Sequence, residues 1–364
     1  VQVTRLDIRH LRRFDDVSLS PAPGLNLLIG DNGAGKTSVI EALHLMAYGR
    51  SFRGRVREGL VQAGSPTAAL EVFVEWKETG ASGRVRRAGM RHSGSEWTGR
   101  LDGEPVAQLG ELCAALAVVT FEPGSHELVH GGSEVRRRFL DWGLFHVEPA
   151  FMRPWRRYAR ALKQRNILLK QRVRDAQLDA WDAELADTGE ELTEQRRRYV
   201  DALAAGFAVL AAELAPSLGV ASLAYLPGWK RDELPLADAL LLARDRDLLA
   251  GHTSVGPHRA DWRPSFAAIP GRDALSRGQA KLAALAALLA QADFHAEVTG
   301  QQPVFALDDL ASELDRHHQR RVLQRLVERG SQVFVSGTEL PAAIVELGLA
   351  PKLFHVEHGR ISSV

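Results

Sequence analysis

Hydrophobic positions follow three different spacings along this chain. Leu25-Asn26-Leu27-Leu28-Ile29 is a short apolar run, followed by a Gly-rich turn and then by Val39, Ile40, Leu43, Leu45 and Met46. That order predicts strand, loop and helix. Ala69 to Trp76 alternates instead, with Leu70, Val72, Val74 and Trp76 on one face and Glu71, Phe73 and Glu75 on the other, the pattern of a half-buried antiparallel strand. Arg84 to Arg91 and Glu96 to Val106 read as its neighbours, and Asp102-Gly103 as a tight hairpin turn. Residues 1–121 therefore combine a strand-loop-helix unit with a β-meander.

Between 122 and 245 the composition shifts to Arg, Glu, Ala and Leu at helical spacing. Trp155, Tyr158, Leu162, Leu169 and Val173 form one stripe; Trp181, Leu185, Leu192, Tyr199, Leu203, Phe207, Leu210 and Leu214 form another. An antiparallel helix pair fits, a short arm of about 40 to 50 Å at 1.5 Å per residue. Pro227, Pro235 and the stretch Gly251 to Gly256 punctuate its end. In residues 246–364 the α/β alternation returns: a helix from about Ser276 to Ala292, a strand Val304 to Leu307, a helix from about Ser312 to Arg329, a strand Gln332 to Val335 and a last hairpin within Leu353 to Ile361. Ser312 with Asp315 is a candidate capping pair for the second helix. The fold class expected is α/β, a split head with an inserted helical second domain.

Composition narrows the setting. The 364 residues carry 46 Lys plus Arg against 45 Asp plus Glu, a net charge of +1, with 45% hydrophobic residues, which excludes a disordered or collagen-like chain. A single cysteine, Cys113, allows no internal disulfide and no Cys-based zinc site and favours a reducing, cytoplasmic interior. No apolar run approaches the roughly 20 residues that span a bilayer. His317-His318, and His355 with His358, lack further ligands at metal-binding spacing.

The Gly-rich turn carries the first chemistry. Gly30-Asp31-Asn32-Gly33-Ala34-Gly35-Lys36-Thr37 satisfies G-x-x-x-x-G-K-[ST], with Ser38 following. Between a strand and a helix, such glycines let backbone N–H groups cradle the phosphates of ATP at the positive end of the helix dipole. Lys36 is placed to reach the outer phosphates and Thr37 to bind Mg²⁺. Phosphoryl chemistry also needs a carboxylate for the metal and a group to orient water; Asp308 and Asp309, ending the apolar run Val304 to Leu307, offer both. Their alternative role is to cap the next helix.

Leu275-Ser276-Arg277-Gly278-Gln279-Ala280-Lys281 opens a long Ala/Leu-rich helix and resembles the LSGGQ-type signature of ABC-type ATPases. The segments Leu6 to Phe14, Gly131 to Trp142, Gly256 to Asp261 and Ser312 to Asp315 resemble the RecF family, bacterial recombination-repair ATPases related to SMC and Rad50 proteins. The likeness covers nearly the whole chain. It implies an ABC-type head, a mixed sheet with a β-meander subdomain, and a slow, DNA-stimulated ATPase that dimerises head to tail on ATP. It implies binding to double-stranded DNA and to junctions with single-stranded gaps, and work with RecR and RecO in placing RecA.

Residue by residue, the resemblance puts Ser276, Gly278 and Gln279 on the γ-phosphate held by the partner copy, and Asp315 at the dimer seam. Arg12 matches the Arg of an Asn-Phe-Arg-type motif and becomes a phosphate contact, or else a solvated surface Arg. Val118 to Pro123, the counterpart of a loop that carries Gln in many ABC-type ATPases, has none. Ser336-Gly337-Thr338 stands where a switch His is common, and a hydroxyl such as Thr338 is expected to replace it. Asp at 309, one methylene shorter than the usual Glu, fits slow hydrolysis. Arg53, Arg55 and Arg57, and Arg136, Arg137 and Arg138, are either DNA-phosphate contacts or solvated helix faces. The competing functions are an ABC transporter's ATPase subunit, which the inserted arm opposes, and a P-loop metabolic kinase, which has no use for Ser276 to Gln279.

Overall fold

Two compact units divide the chain: Val1–Ser125 with His295–Val364, and His126–Phe294. The structure, a computed structural model, describes residues 1–53, 59–62, 69–79, 83–93, 96–173 and 176–363. Residues 246–294, grouped from sequence with the C-terminal half of the head, fall in the helical unit, because their strand and helix pack on the arm elements.

The first unit opens with strands Gln2–Arg9 (β1), Asp16–Leu19 (β2) and Leu25–Ile29 (β3), helix Lys36–Tyr48 (α1), and strands Leu70–Lys77 (β4), Val85–His92 (β5), Trp97–Leu101 (β6) and Glu104–Pro105 (β7). Helix Leu109–Cys113 (α2) and strand Val118–Phe121 (β8) follow. One sheet has the order β2-β1-β4-β5-β6-β7 and is antiparallel. Its alternation is the one expected: Leu70, Val72, Val74 and Trp76 are buried. Asp102 and Gly103 have φ of 53° and 95°, the paired positive values of a type I′ hairpin turn.

The helical unit holds Glu127–His130 (α3), Ser133–Val147 (α4), Met152–Lys170 (α5), Ala176–Leu214 (α6), strand Ala221–Leu226 (β9), Leu236–Ala250 (α7), strand Asp261–Phe266 (β10) and most of Arg277–Thr299 (α8). α5 and α6 pack together as the expected pair. With 39 residues, α6 is about 58 Å long, longer than expected because it begins at Ala176, before the Trp181 to Leu214 stripe; it also packs against α4 and β9. Leu178, Leu185, Leu192 and Tyr199 form its buried seam, while Trp181 is only half-buried. Arg165 is buried where α5 meets α6 and α7, donating to Asp182 at 2.5 Å, Asp247 at 2.7 Å and Thr253 at 2.9 Å, so the arm contains a polar core that apolar periodicity does not reveal.

The chain then completes the first unit with Val304–Leu307 (β11), Leu310–Glu313 (α9), Arg316–Glu328 (α10), Val333–Gly337 (β12), Ala342–Glu346 (α11), Lys352–Glu357 (β13) and Arg360–Ser363 (β14). The order of the second sheet is β14-β13-β3-β12-β11-β8, and all but β14 run parallel. Such strands are buried on both faces, hence their continuous apolar runs. α1 packs on β4 of one sheet and on β8, β11 and β12 of the other, which is why residues all round it are buried. The helix expected from Ser312 to Arg329 is broken at Leu314: Asp315 is the N-cap of α10 and accepts from the His318 amide at 2.9 Å. Among the described residues no helix is long and apolar enough to cross a membrane.

Candidate nucleotide site

β3, β12 and β11 lie side by side and parallel, so the loops at their carboxyl ends share one edge of the sheet, where ligands of open α/β sheets bind. Gly30 to Gly35 leave β3, Asp308 and Asp309 leave β11, and Ser336 sits near the end of β12. Two glycines fix the loop. A Cβ on Gly30 would lie 2.0 Å from the Val356 carbonyl oxygen, and one on Gly35, at φ 122°, would lie 3.0 Å from the Phe14 ring. Gly35 is also the N-cap of α1, and with no side chain it leaves the helix's first amides to an anion.

Lys36 is buried, its Nζ donating to the carbonyls of Gly30 at 2.6 Å and Asp31 at 2.8 Å. Burial lowers its pKa from the usual lysine value, against the raising pull of Asp309, Asp308 and Asp31. Asp31, Asn32 and Gly33 are exposed at the loop's rim, Ala34 donates to Asp31 at 3.1 Å, and the Ser38 amide is held by the Gly35 carbonyl at 2.8 Å. Thr37 donates to Asp308 Oδ1 at 3.0 Å. Cis oxygens on an octahedral Mg²⁺ at 2.0–2.1 Å are about 2.9 Å apart, so this pair fits the ion. Asp308 is buried and its pKa is raised, chiefly by that burial, while hydrogen bonds from Ser336 and Thr37 pull it down. A cation there would relieve the cost of the buried carboxylate.

Ser336, not Thr338, is the hydroxyl at the acidic pair. Its Oγ donates to Asp308 Oδ1 at 2.6 Å and accepts from the Asp309 amide at 2.8 Å, which helps hold Asp309 at φ 51°. Thr338 is exposed, because β12 ends at Gly337 and the chain turns outward. The stretch Val118 to Pro123, expected from sequence as a loop, is strand β8 as far as Phe121, and Thr120 within it bonds to His44 of α1 at 3.0 Å.

Arg12 does not point freely from its loop. Its guanidinium grips Glu41 of α1 with Nε and Nη2 at 3.0 and 2.9 Å and donates to the Gly59 carbonyl at 3.1 Å. Arg53 also faces this site: Nη1 lies 3.9 Å from Glu41, and its charge lowers the pKa of Asp308. It is thus set beside the nucleotide loop. Arg55 and Arg57 lie outside the described residues.

The second arginine cluster comes apart. Arg136 is 1% exposed and pairs with Asp261 at 2.6 Å while donating to the Gly131 carbonyl at 2.7 Å, so it does not reach DNA. Arg137 is half-buried, donating to Ser133 and to the Ala260 carbonyl; Arg138 is exposed and paired with Glu134. Arg196 joins Asp141 at 2.8 Å to the Pro257 carbonyl at 2.8 Å. The strings Gly131 to Trp142 and Gly256 to Asp261 therefore meet through buried arginines. A cavity of about 750 Å³ on the open face of the antiparallel sheet is lined by Arg5, Arg9, Arg91 and Arg100, but Asp7 and Glu71 alternate with them and pair with three of the four.

In the helical unit, Ser276 and Gln279 form a reciprocal capping box: the Ser276 amide donates to Gln279 Oε1 at 2.9 Å and the Gln279 amide to Ser276 Oγ at 3.2 Å. Ser276 and Gly278 are exposed, and a Cβ on Gly278 would meet nothing within 4 Å. The turn is thus rigid and open on its outer side.

Residues 2–346 match the family described as RecF/RecN/SMC N terminal domain. The chain is 66% identical to the DNA replication and repair protein RecF of Xanthomonas euvesicatoria pv. vesicatoria (strain 85-10), over 100% of this chain and 98% of that one, and 66% identical to that of Stenotrophomonas maltophilia (strain R551-3), over 100% of both. The structure of a recombination mediator protein RecF with an ATP analogue, described as part of the RecFOR pathway, is similar with TM-score 0.85 at 25% identity, covering 100% and 98% of the two chains. An Smc head domain from Pyrococcus furiosus shares the fold at TM-score 0.58 and 16% identity, covering 100% and 96%. With the family match spanning most of its length and relatives this similar end to end, the chain belongs to the RecF family of the RecF/RecN/SMC group.

Proposed function

We propose that the protein is an ATP-binding, ATP-hydrolysing switch of DNA replication and repair that closes into a homodimer on ATP and in that form binds double-stranded DNA and junctions with single-stranded gaps. The observation that carries this is the pairing of a nearly complete site in one unit with an open signature turn in the other. Gly30 to Ser38 hold the phosphates, Lys36 the outer ones; Thr37 and Asp308 hold Mg²⁺; Asp309 orients water. Ser276, Gly278 and Gln279 complete the partner copy's site, with Asp315 at the seam. The cation supplies charge neutralisation at the transferring phosphoryl group.

The RecFOR description of the related structure supports RecR and RecO as partners, and the outcome we propose for their joint work is the placing of RecA on gapped DNA. A transporter ATPase subunit is disfavoured by the family match and by α5 and α6. The test is DNA retention by the full chain with ATP, with ADP and without nucleotide, alongside the ATPase rate with and without duplex. ATP-dependent retention and a DNA-raised rate are expected; binding and hydrolysis indifferent to one another would refute the proposal.

A further inference from the structure

We infer that Arg13, not Arg12, supplies the guanidinium that meets the phosphates of the bound nucleotide, with Arg12 serving as the strut that holds it there. The inference rests on reading Gly30 to Thr37 as an ATP site.

The backbone on both sides of Arg13 is fixed. Before it, the Arg12 amide donates to the Leu60 carbonyl at 2.9 Å, and the Arg12 side chain is committed to Glu41, a carboxylate with 0% exposure that also accepts from Ser51. Arg12 has φ 58°, a left-handed conformation that a non-Gly residue keeps only when its surroundings enforce it. Moving its guanidinium to a ligand would leave Glu41 with a large share of its buried charge unpaired, a heavy cost. After it, Phe14 has 0% exposure, its ring against Gly35, and its amide donates to the Leu11 carbonyl at 2.9 Å. Across the loop, a Cβ on Gly359 would lie 2.5 Å from the Arg13 carbonyl oxygen, so the turn between β13 and β14 closes directly over this residue.

The Arg13 side chain is exposed, and among the described residues it makes no hydrogen bond or ion pair. Its Nη1 and Cζ lie 3.9 and 4.0 Å from the point a Cβ on Gly33 would occupy. A guanidinium on a fixed backbone, lying beside a phosphate-cradling loop and in no ion pair that an anion would have to break, is available to that anion. Neighbouring arginines thus divide the work, one spent on structure and one left for the ligand.

The experiment measures equilibrium binding of Mg²⁺-ATP and Mg²⁺-GTP to the full chain, with the melting temperature of the nucleotide-free protein, for wild type, Arg13→Ala, Arg13→Lys and Arg12→Ala. Arg13→Ala should weaken ATP about tenfold or more, with an unchanged melting temperature and an unchanged ATP-to-GTP ratio, and Arg13→Lys should recover part of the loss. Arg12→Ala should lower the melting temperature; should it fail to fold, Arg13→Ala alone decides. Wild-type affinity in Arg13→Ala would overturn the inference, and so would a shifted ATP-to-GTP ratio, which would mean stacking on the base. Failure of wild type to bind ATP would refute the site reading itself.

Discussion

The Ser336 hydroxyl donates to Asp308 and accepts from the Asp309 amide, so deleting it should loosen together the two residues proposed to hold Mg²⁺ and to orient water. Ser336→Ala is expected to slow ATP hydrolysis about tenfold, the worth of one hydrogen bond to a charged group, whereas Thr338→Ala should stay close to wild type; equal effects would return the role to Thr338. The arginines of α4 make a sharper pair. Arg136→Ala strips a buried carboxylate of its partner and should destabilise the fold by about 3 to 5 kcal/mol. Arg138→Ala removes an exposed ion pair and should cost under about 1 kcal/mol, both read from denaturant midpoints. In sequence, three consecutive arginines look alike, because helical phase does not distinguish a buried Arg with a carboxylate 125 positions away from a solvated one. The phosphate loop was legible for the opposite reason: its chemistry requires glycine, lysine and a hydroxyl at fixed local spacing.

The start of α8 is a cap that the proposed dimer also uses as a contact. The box between Ser276 and Gln279 satisfies two amides at the helix start, a structural role sufficient to explain both residues without any ligand. Asp caps a helix as well as Ser but brings a charge that repels phosphate. Ser276→Asp should therefore keep the wild-type melting temperature and ATP affinity while abolishing the ATP-dependent dimer; an intact dimer would leave Ser276 as a cap alone. At this scale the meander, β11, β12 and the closing hairpin could be read from period-two alternation, apolar runs and turn residues. The break before α10 could not, because Ser312 and Asp315 both suit a cap and only the backbone decides that Asp315 does the capping. The stripe from Trp181 to Leu214 did mark the end of α6, and only its first residues, Ala176 to Ala180, carry no apolar signal strong enough to extend it.

Across the whole molecule, buried neutral histidines tie stability to pH. Burial depresses His44 to about 3, helped by the Arg50 charge, and His258 to about 4, where Tyr158 lies 2.7 Å from its Nδ1. The unfolded chain, with histidines near 6.5, takes up protons first as pH falls, so stability is full above about 6.5 and is lost on acidification toward those values. Each group should cost about 2 kcal/mol between pH 6.5 and pH 5, and His258→Gln should flatten the fall in urea midpoint; an unaltered slope would exclude His258. Net charge, by contrast, says little about partners: +1 sums ion pairs that are largely internal, Arg136 with Asp261 and Arg165 with Asp182 and Asp247 among them. The α/β class and the inserted helical unit could be read from the order of periods along the chain. The unit boundary near His295 could not, because α8 runs through it as one unbroken helix.

Whether ATP joins two copies through the loop of one and the signature turn of the other is decided by the solution mass of the full chain, from sedimentation velocity with Mg²⁺ and either ATP or ADP. The mass should double with ATP and stay monomeric with ADP. A monomer under both nucleotides, at concentrations where ATP is shown to be bound, would contradict it.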